Sequence, residues 1–151
     1  METIEAKITT EMLSKVFTPN TLLTMMGKRY CSLEEVSDAF KHMINVVQRH
    51  VYGRHSKKKI RYLAVSEKND IGQSHFHCLL DIQEVDEQKY ILELLRTWTS
   101  LDFGSSIGLS NDTLIARETW LKPVFDVEGA VKYLFKNQNN AEKYEFIGLV
   151  L

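Results

Sequence analysis

The chain has 151 residues, 44% of them hydrophobic and 26% charged, which is the make-up of one soluble globular domain with room for a proper core. Its net charge of −1 excludes tight nonspecific nucleic-acid binding through bulk basicity, though not a local basic site. No apolar run reaches transmembrane length, and the start METIEAKITTEM is not a signal peptide.

In chain order, residues 1–18 mix charge with apolar positions. Ile4, Ile8, Met12 and Leu13 could form one face of a short helix. Thr18-Pro19-Asn20 is a break, and Thr21 to Met26 reads as a buried strand closed by Gly27. Ser32 and Glu35 form a capping-box pattern ahead of a helix. Leu33, Val36, Phe40, Met43, Ile44, Val47 and Val51 then recur at helical spacing, and the helix ends before Gly53.

The one dense basic run follows: Arg54-His55-Ser56-Lys57-Lys58-Lys59, with Arg61 just inside the next strand. It reads either as a solvated loop or as a phosphate-backbone contact. Two strands come next, Ile60 to Ser66 and His75 to Ile82, joined by the turn chemistry of residues 68–74. Asp86 would cap a second helix with a stripe of Tyr90, Ile91, Leu94, Leu95 and Trp98. Residues 100–112 read as a loop, Thr113 to Leu121 as a strand stopped by Pro123, and Tyr144 to Leu151 as a final strand. The pattern predicts an α+β, ferredoxin-like or RRM-like β-α-β-β-α-β core. Its central sheet is mostly antiparallel, with helices on one face and the other face free for a site.

Alternation along the second of the paired strands puts His75, His77 and Leu79 on one side. It puts Phe76, Cys78, Leu80 and Ile82 on the other, apolar side. Cys31 and Cys78 have no motif spacing, and a buried Cys78 in a reducing compartment is the simpler reading. If the turn closes a hairpin, Glu67 lies close to both imidazoles. Two histidines and a carboxylate with open positions suit a divalent cation.

Asp126 would cap a third helix over Val127 to Asn137. Val127, Ala130, Val131, Leu134 and Phe135 form its core stripe, while Tyr133 and Lys136 share a face off that stripe with Gly129. That glycine would leave a bare patch where a backbone or substrate could approach.

These blocks together resemble the HUH endonucleases, the rolling-circle replication initiators (Rep proteins) of small single-stranded-DNA viruses, phages and plasmids. LLTMMG at 22–27 is loosely similar to the family's first strand motif. His75-Phe76-His77 matches the His-hydrophobic-His signature, with Glu67 where many Rep proteins carry a third ligand. Tyr133-Leu134-Phe135-Lys136 matches the YxxK nucleophile motif. The likeness spans about residues 20–138 and looks closest to viral Rep nuclease domains, with residues 1–151 as a single nuclease domain and no helicase domain. No second tyrosine stands near Tyr133, which implies the single-tyrosine subclass.

The resemblance implies metal-dependent, sequence-specific nicking and joining of single-stranded DNA at a replication origin, through a 5′-phosphotyrosine. Tyr133 would be the nucleophile, and Lys136 would favour its phenolate and offset phosphate charge. Glu67, His75 and His77 would hold Mn²⁺ or Mg²⁺; imidazole ligands make Mn²⁺ the more natural of the two. Lys57, Lys58, Lys59 and Arg61 would hold the DNA backbone, with Asn137 and Gln138 as further ligand or substrate contacts. Tyr62, Trp98 and Trp120 are base-stacking candidates, although core packing suits each better. A host polymerase and helicase would be partners, in the host cytoplasm or a eukaryotic nucleus. The alternatives are a single-tyrosine transposase or small relaxase, for which Asn137 discriminates, a nonenzymatic single-strand-binding module, and a phosphodiesterase that uses water.

Overall fold

The computed structural model describes residues 18–27, 31–70, 72–82, 87–101 and 121–151. The expectations for the N-terminal helix, the Asp86 cap, the 102–112 loop, Trp120 and residues 113–120 lie outside them. The first strand, β1 (Thr21–Met26), alternates buried and half-buried residues. Helix α1 (Leu33–Tyr52) starts at the expected capping box: the Ser32 hydroxyl accepts from the Glu35 amide, and the Glu35 carboxylate accepts from the Ser32 amide. It stops at Gly53, whose φ of +93° suits glycine.

Strands β2 (Arg61–Lys68) and β3 (Ser74–Asp81) form the predicted hairpin. Their turn is held by the Asn69 side chain, which accepts from the Gln73 amide, and by Gly72 at φ +81°. Helix α2 (Glu87–Ser100), the short strand β4 (Leu121–Pro123), helix α3 (Val127–Leu134) and β5 (Tyr144–Val150) complete the chain.

The strands lie in the order β4-β1-β3-β2-β5, and every pairing is antiparallel. This is the α+β, ferredoxin-like arrangement that the sequence predicts, with β5 added beside β2. Pro123 sits on the edge strand, where its missing amide costs no ladder bond.

Two cores flank the sheet. On one face α1 and α2 pack Val36, Phe40, Met43, Tyr90 and Trp98 against Leu23, Phe76, Cys78 and Leu80. The apolar side of β3 is therefore the side that alternation assigns to it. Tyr62 and Trp98 are core residues: Tyr62 packs edge-on against Phe40, and Trp98 packs against Phe76 and donates to the Met26 carbonyl. Neither ring is free to stack a base. Cys31 and Cys78 are both buried free thiols, and burial pushes the Cys78 thiol well up.

On the opposite face, Leu63, Val65 and Leu79 meet Val131, Leu134 and Phe135 of the α3 region. Helix α3 has eight residues, too few to stand alone in water. Burying Val131 and Leu134 fully contributes about 2 kcal/mol each, and this docking fixes where its polar face points.

Candidate active site

The site is built on the ends of β2 and β3 that border their turn. Glu67 pairs directly across from His75, and Val65 pairs with His77. Three odd-numbered positions therefore send their side chains to the α3 face. All three are buried, Glu67 to 2% exposure. The Glu67 Oε2 atom lies 3.4 Å from His77 Nε2 and 3.6 Å from His75 Nε2, and the two Nε2 atoms are 3.1 Å apart.

Those separations fit a shared cation. Ligand atoms around one divalent ion at about 2.0–2.2 Å sit roughly 3–3.5 Å from one another. The donor set of two imidazole nitrogens and one carboxylate suits Mn²⁺, Zn²⁺ and, less well, Mg²⁺. Among the described residues, this is the one group of three or more His, Cys, Asp or Glu side chains with ligand atoms close enough to hold a metal ion.

The electrostatics prepare the donors. Burial pushes the Glu67 carboxyl up, but hydrogen bonding to His75, His77 and Lys136 together outweighs it and holds the group well below the usual carboxylate range. Burial lowers the His77 pKa; hydrogen bonding to Glu67 opposes this, while repulsion from His75 and Lys136 adds to it. The result is an ionised carboxylate beside an imidazole biased to its neutral, ligating form.

Strand β1 supplies a residue that the sequence reading missed. Thr24 pairs across from His77, and its hydroxyl lies 2.7 Å from Nδ1. An Nδ1–H that donates to Thr24 leaves the Nε2 lone pair facing Glu67 and His75. The one available signal was a threonine amid the apolar run TLLTMM, and its partner depends on a strand register no local pattern gives. The Nδ1 atom of His75 is buried and has no hydrogen-bond partner among the described residues.

Helix α3 brings the other two groups. Tyr133 is 43% exposed, off the buried stripe as its phase predicts, and its ring packs edge-on against His77 with centroids 5.1 Å apart. Lys136 Nζ lies 3.0 Å from both carboxylate oxygens of Glu67 and 3.9 Å from the Tyr133 ring centroid. The phenol, ammonium, carboxylate and imidazoles thus form one cluster.

Three expectations change. The helix ends at Leu134, not Asn137; beyond it, three-residue turns bond Lys136 to Tyr133, Gln138 to Phe135 and Asn140 to Asn137. The run Asn137-Gln138-Asn139-Asn140 has amide side chains that compete for backbone bonds and favour turns over helix. Asn137 and Gln138 therefore lie half-buried in these turns, not on the helix. Gly129 does not leave a bare patch. A Cβ there would meet Asp126 Oδ2 at 2.5 Å, because the Asp126 carboxylate folds over to accept from the Gly129 amide. Lys57, Lys58, Lys59 and Arg61 lie at the far end of β2 from Glu67, where Arg61 pairs with Asp81.

A ferredoxin-like sheet with a buried Glu-His-His group under a short tyrosine-bearing helix defines the class. Residues 20–143 match the replication-associated protein ORF2 family, and the chain belongs to it. Comparison with curated proteins and with solved structures gives no match.

Proposed function

We propose that this chain is a single-tyrosine HUH-type replication initiator that nicks and rejoins single-stranded DNA at an origin. The observation that carries the reading is the contact of Tyr133 with His77 and Lys136, which sets a half-exposed phenol beside the candidate metal donors. The third donor is Glu67, from a strand. This favours the Rep-type reading over the relaxase and transposase one, which draws that ligand from the tyrosine helix.

Glu67, His75 and His77 would hold a divalent cation, Mn²⁺ or Mg²⁺, which when bound supplies Lewis-acid polarisation of a non-bridging phosphate oxygen. Thr24 keeps the His77 ring oriented. Tyr133 attacks phosphorus: the Oη–P bond forms, the P–O3′ bond breaks, the phenol proton goes to solvent, and the departing 3′-oxygen takes a proton. The Lys136 ammonium, close over the ring, favours the phenolate and offsets phosphate charge. The products are a 5′-phosphotyrosine and a free 3′-OH that a host polymerase could extend. Because the ester is conserved in the phosphotyrosine, attack by a later 3′-OH runs the step backwards and joins the strand.

The test is incubation with a pool of single-stranded oligonucleotides and Mn²⁺. A denaturant-stable protein–DNA conjugate that EDTA abolishes is expected. Cleavage without any conjugate would instead mark a phosphodiesterase that uses water.

A further inference from the structure

The basic run that follows α1 is not part of the Glu67 site. Lys57, Lys58, Lys59 and Arg61, with Tyr52 and Asp81, line a cleft of about 330 Å³ at the opposite end of the sheet. The lysines and Arg61 are exposed. Lys58 Nζ lies 6.0 Å from the Tyr52 ring centroid, so an aromatic stands among the cations. Asp81 approaches Arg61 at 3.9 Å and offsets only part of the charge. In a chain whose net charge is −1, four cations around one cleft create a local field that only an anion with several charges would use well.

Its position decides what that anion is to the site. Six residues of β2 separate Arg61 from Glu67, about 20 Å at roughly 3.3 Å per residue. Helix α3 lies on Leu63, Val65 and Leu79, between those two ends. One phosphate cannot reach both places, and a strand that touches both must pass over or around α3. At about 3.4 Å per stacked nucleotide, that path takes six or more phosphates.

We propose that this cleft is a second, remote anchor for the DNA backbone, so that full affinity requires a strand several nucleotides longer than the one the Tyr133 site holds. This rests on the single-stranded-DNA reading above and adds the substrate's length and path. A phosphate chain fits the cleft better than an acidic peptide does, since closely spaced ammonium heads match a repeat of single charges and need no shaped pocket.

The experiment measures binding by fluorescence anisotropy in the Tyr133→Phe background, which cannot trap a conjugate. Oligonucleotides of graded length carry the sequence recovered from the conjugate or, failing one, a mixed sequence. Lys57→Gln/Lys58→Gln/Lys59→Gln is compared with the unaltered lysines, with melting temperature as the control for folding. On long strands the triple variant should lose about two units of the slope of log affinity against log salt, at roughly 0.7 per phosphate contact. This amounts to about a twentyfold smaller affinity loss between 50 and 200 mM salt. On strands too short to pass α3 the two proteins should share one slope.

An unchanged slope on long strands, an equal drop on short ones, or no DNA binding at all would overturn the anchor. Failure of the nuclease reading shows separately, as the absence of a conjugate from the protein with Tyr133 intact. Free inorganic phosphate or pyrophosphate that competes equally well at all lengths would mark a simple anion site and also count against the proposal.

Discussion

The Lys136 ammonium grips the buried Glu67 carboxylate through both oxygens, at 3.0 Å each. Lysine and a divalent ion would therefore draw on the same negative charge, and they repel each other. Lys136→Met should act in two directions at once. It should cost about 1 kcal/mol of metal-free stability, a modest figure because the lysine side chain is 37% exposed and screened. It should also bind Mn²⁺ severalfold more tightly while forming less conjugate. Calorimetric titration with Mn²⁺, thermal melts and a conjugate assay read the three effects.

Thr24 offers a test of ligand orientation away from the cation itself. Thr24→Val keeps the shape of the side chain but removes the hydroxyl 2.7 Å from His77 Nδ1. Affinity for Mn²⁺ should fall about tenfold or more, the usual effect of losing such a support, with the fold intact by circular dichroism. Unchanged affinity would mean that the tautomer is set elsewhere.

Acid should weaken the metal-free protein through two groups of the same sign. The pKa of His77 is below its ordinary 6.5, so the unfolded chain takes up that proton first and stability falls as pH drops through that range. Glu67 is held below its ordinary 4.5, so its contribution is present above that value and is lost as pH falls toward the folded one. Urea midpoints should therefore decline from neutral pH to about pH 4. The gap between the protein and its Glu67→Gln variant should narrow further below that.

Gly129 gives a prediction about α3. Alanine in a helix is favoured over glycine by about 1 kcal/mol, but its Cβ would displace the Asp126 carboxylate from its cap, which costs about the same. Gly129→Ala alone should bring no net stability. In an Asp126→Ala background, where there is no cap to lose, the same change should gain about 1 kcal/mol. A double-mutant cycle of melting temperatures checks the coupling.

What could be read without coordinates was local and periodic. The period of two in β3 separates His75 and His77 from Phe76 and Cys78, and the short turn forces Glu67 to face them. The helical phase of 127–135 puts Tyr133 outside the apolar stripe. What could not be read was set by distant partners. Thr24 meets His77 only through the β1–β3 register. The basic residues look near Glu67 in sequence, yet they lie a strand's length away. The α3 boundary was misjudged because its apolar stripe continues through Phe135, while the amide run behind it turns the chain.

The decisive measurement is peptide mapping of the protein–DNA conjugate. After incubation with oligonucleotide and Mn²⁺, nuclease trimming and proteolysis, one residual nucleotide mass should sit on Tyr133, and Tyr133→Phe should yield no conjugate while still binding DNA. A conjugate that survives Tyr133→Phe, or one that maps to another residue, would contradict the assignment of the nucleophile and with it the functional reading of the cluster.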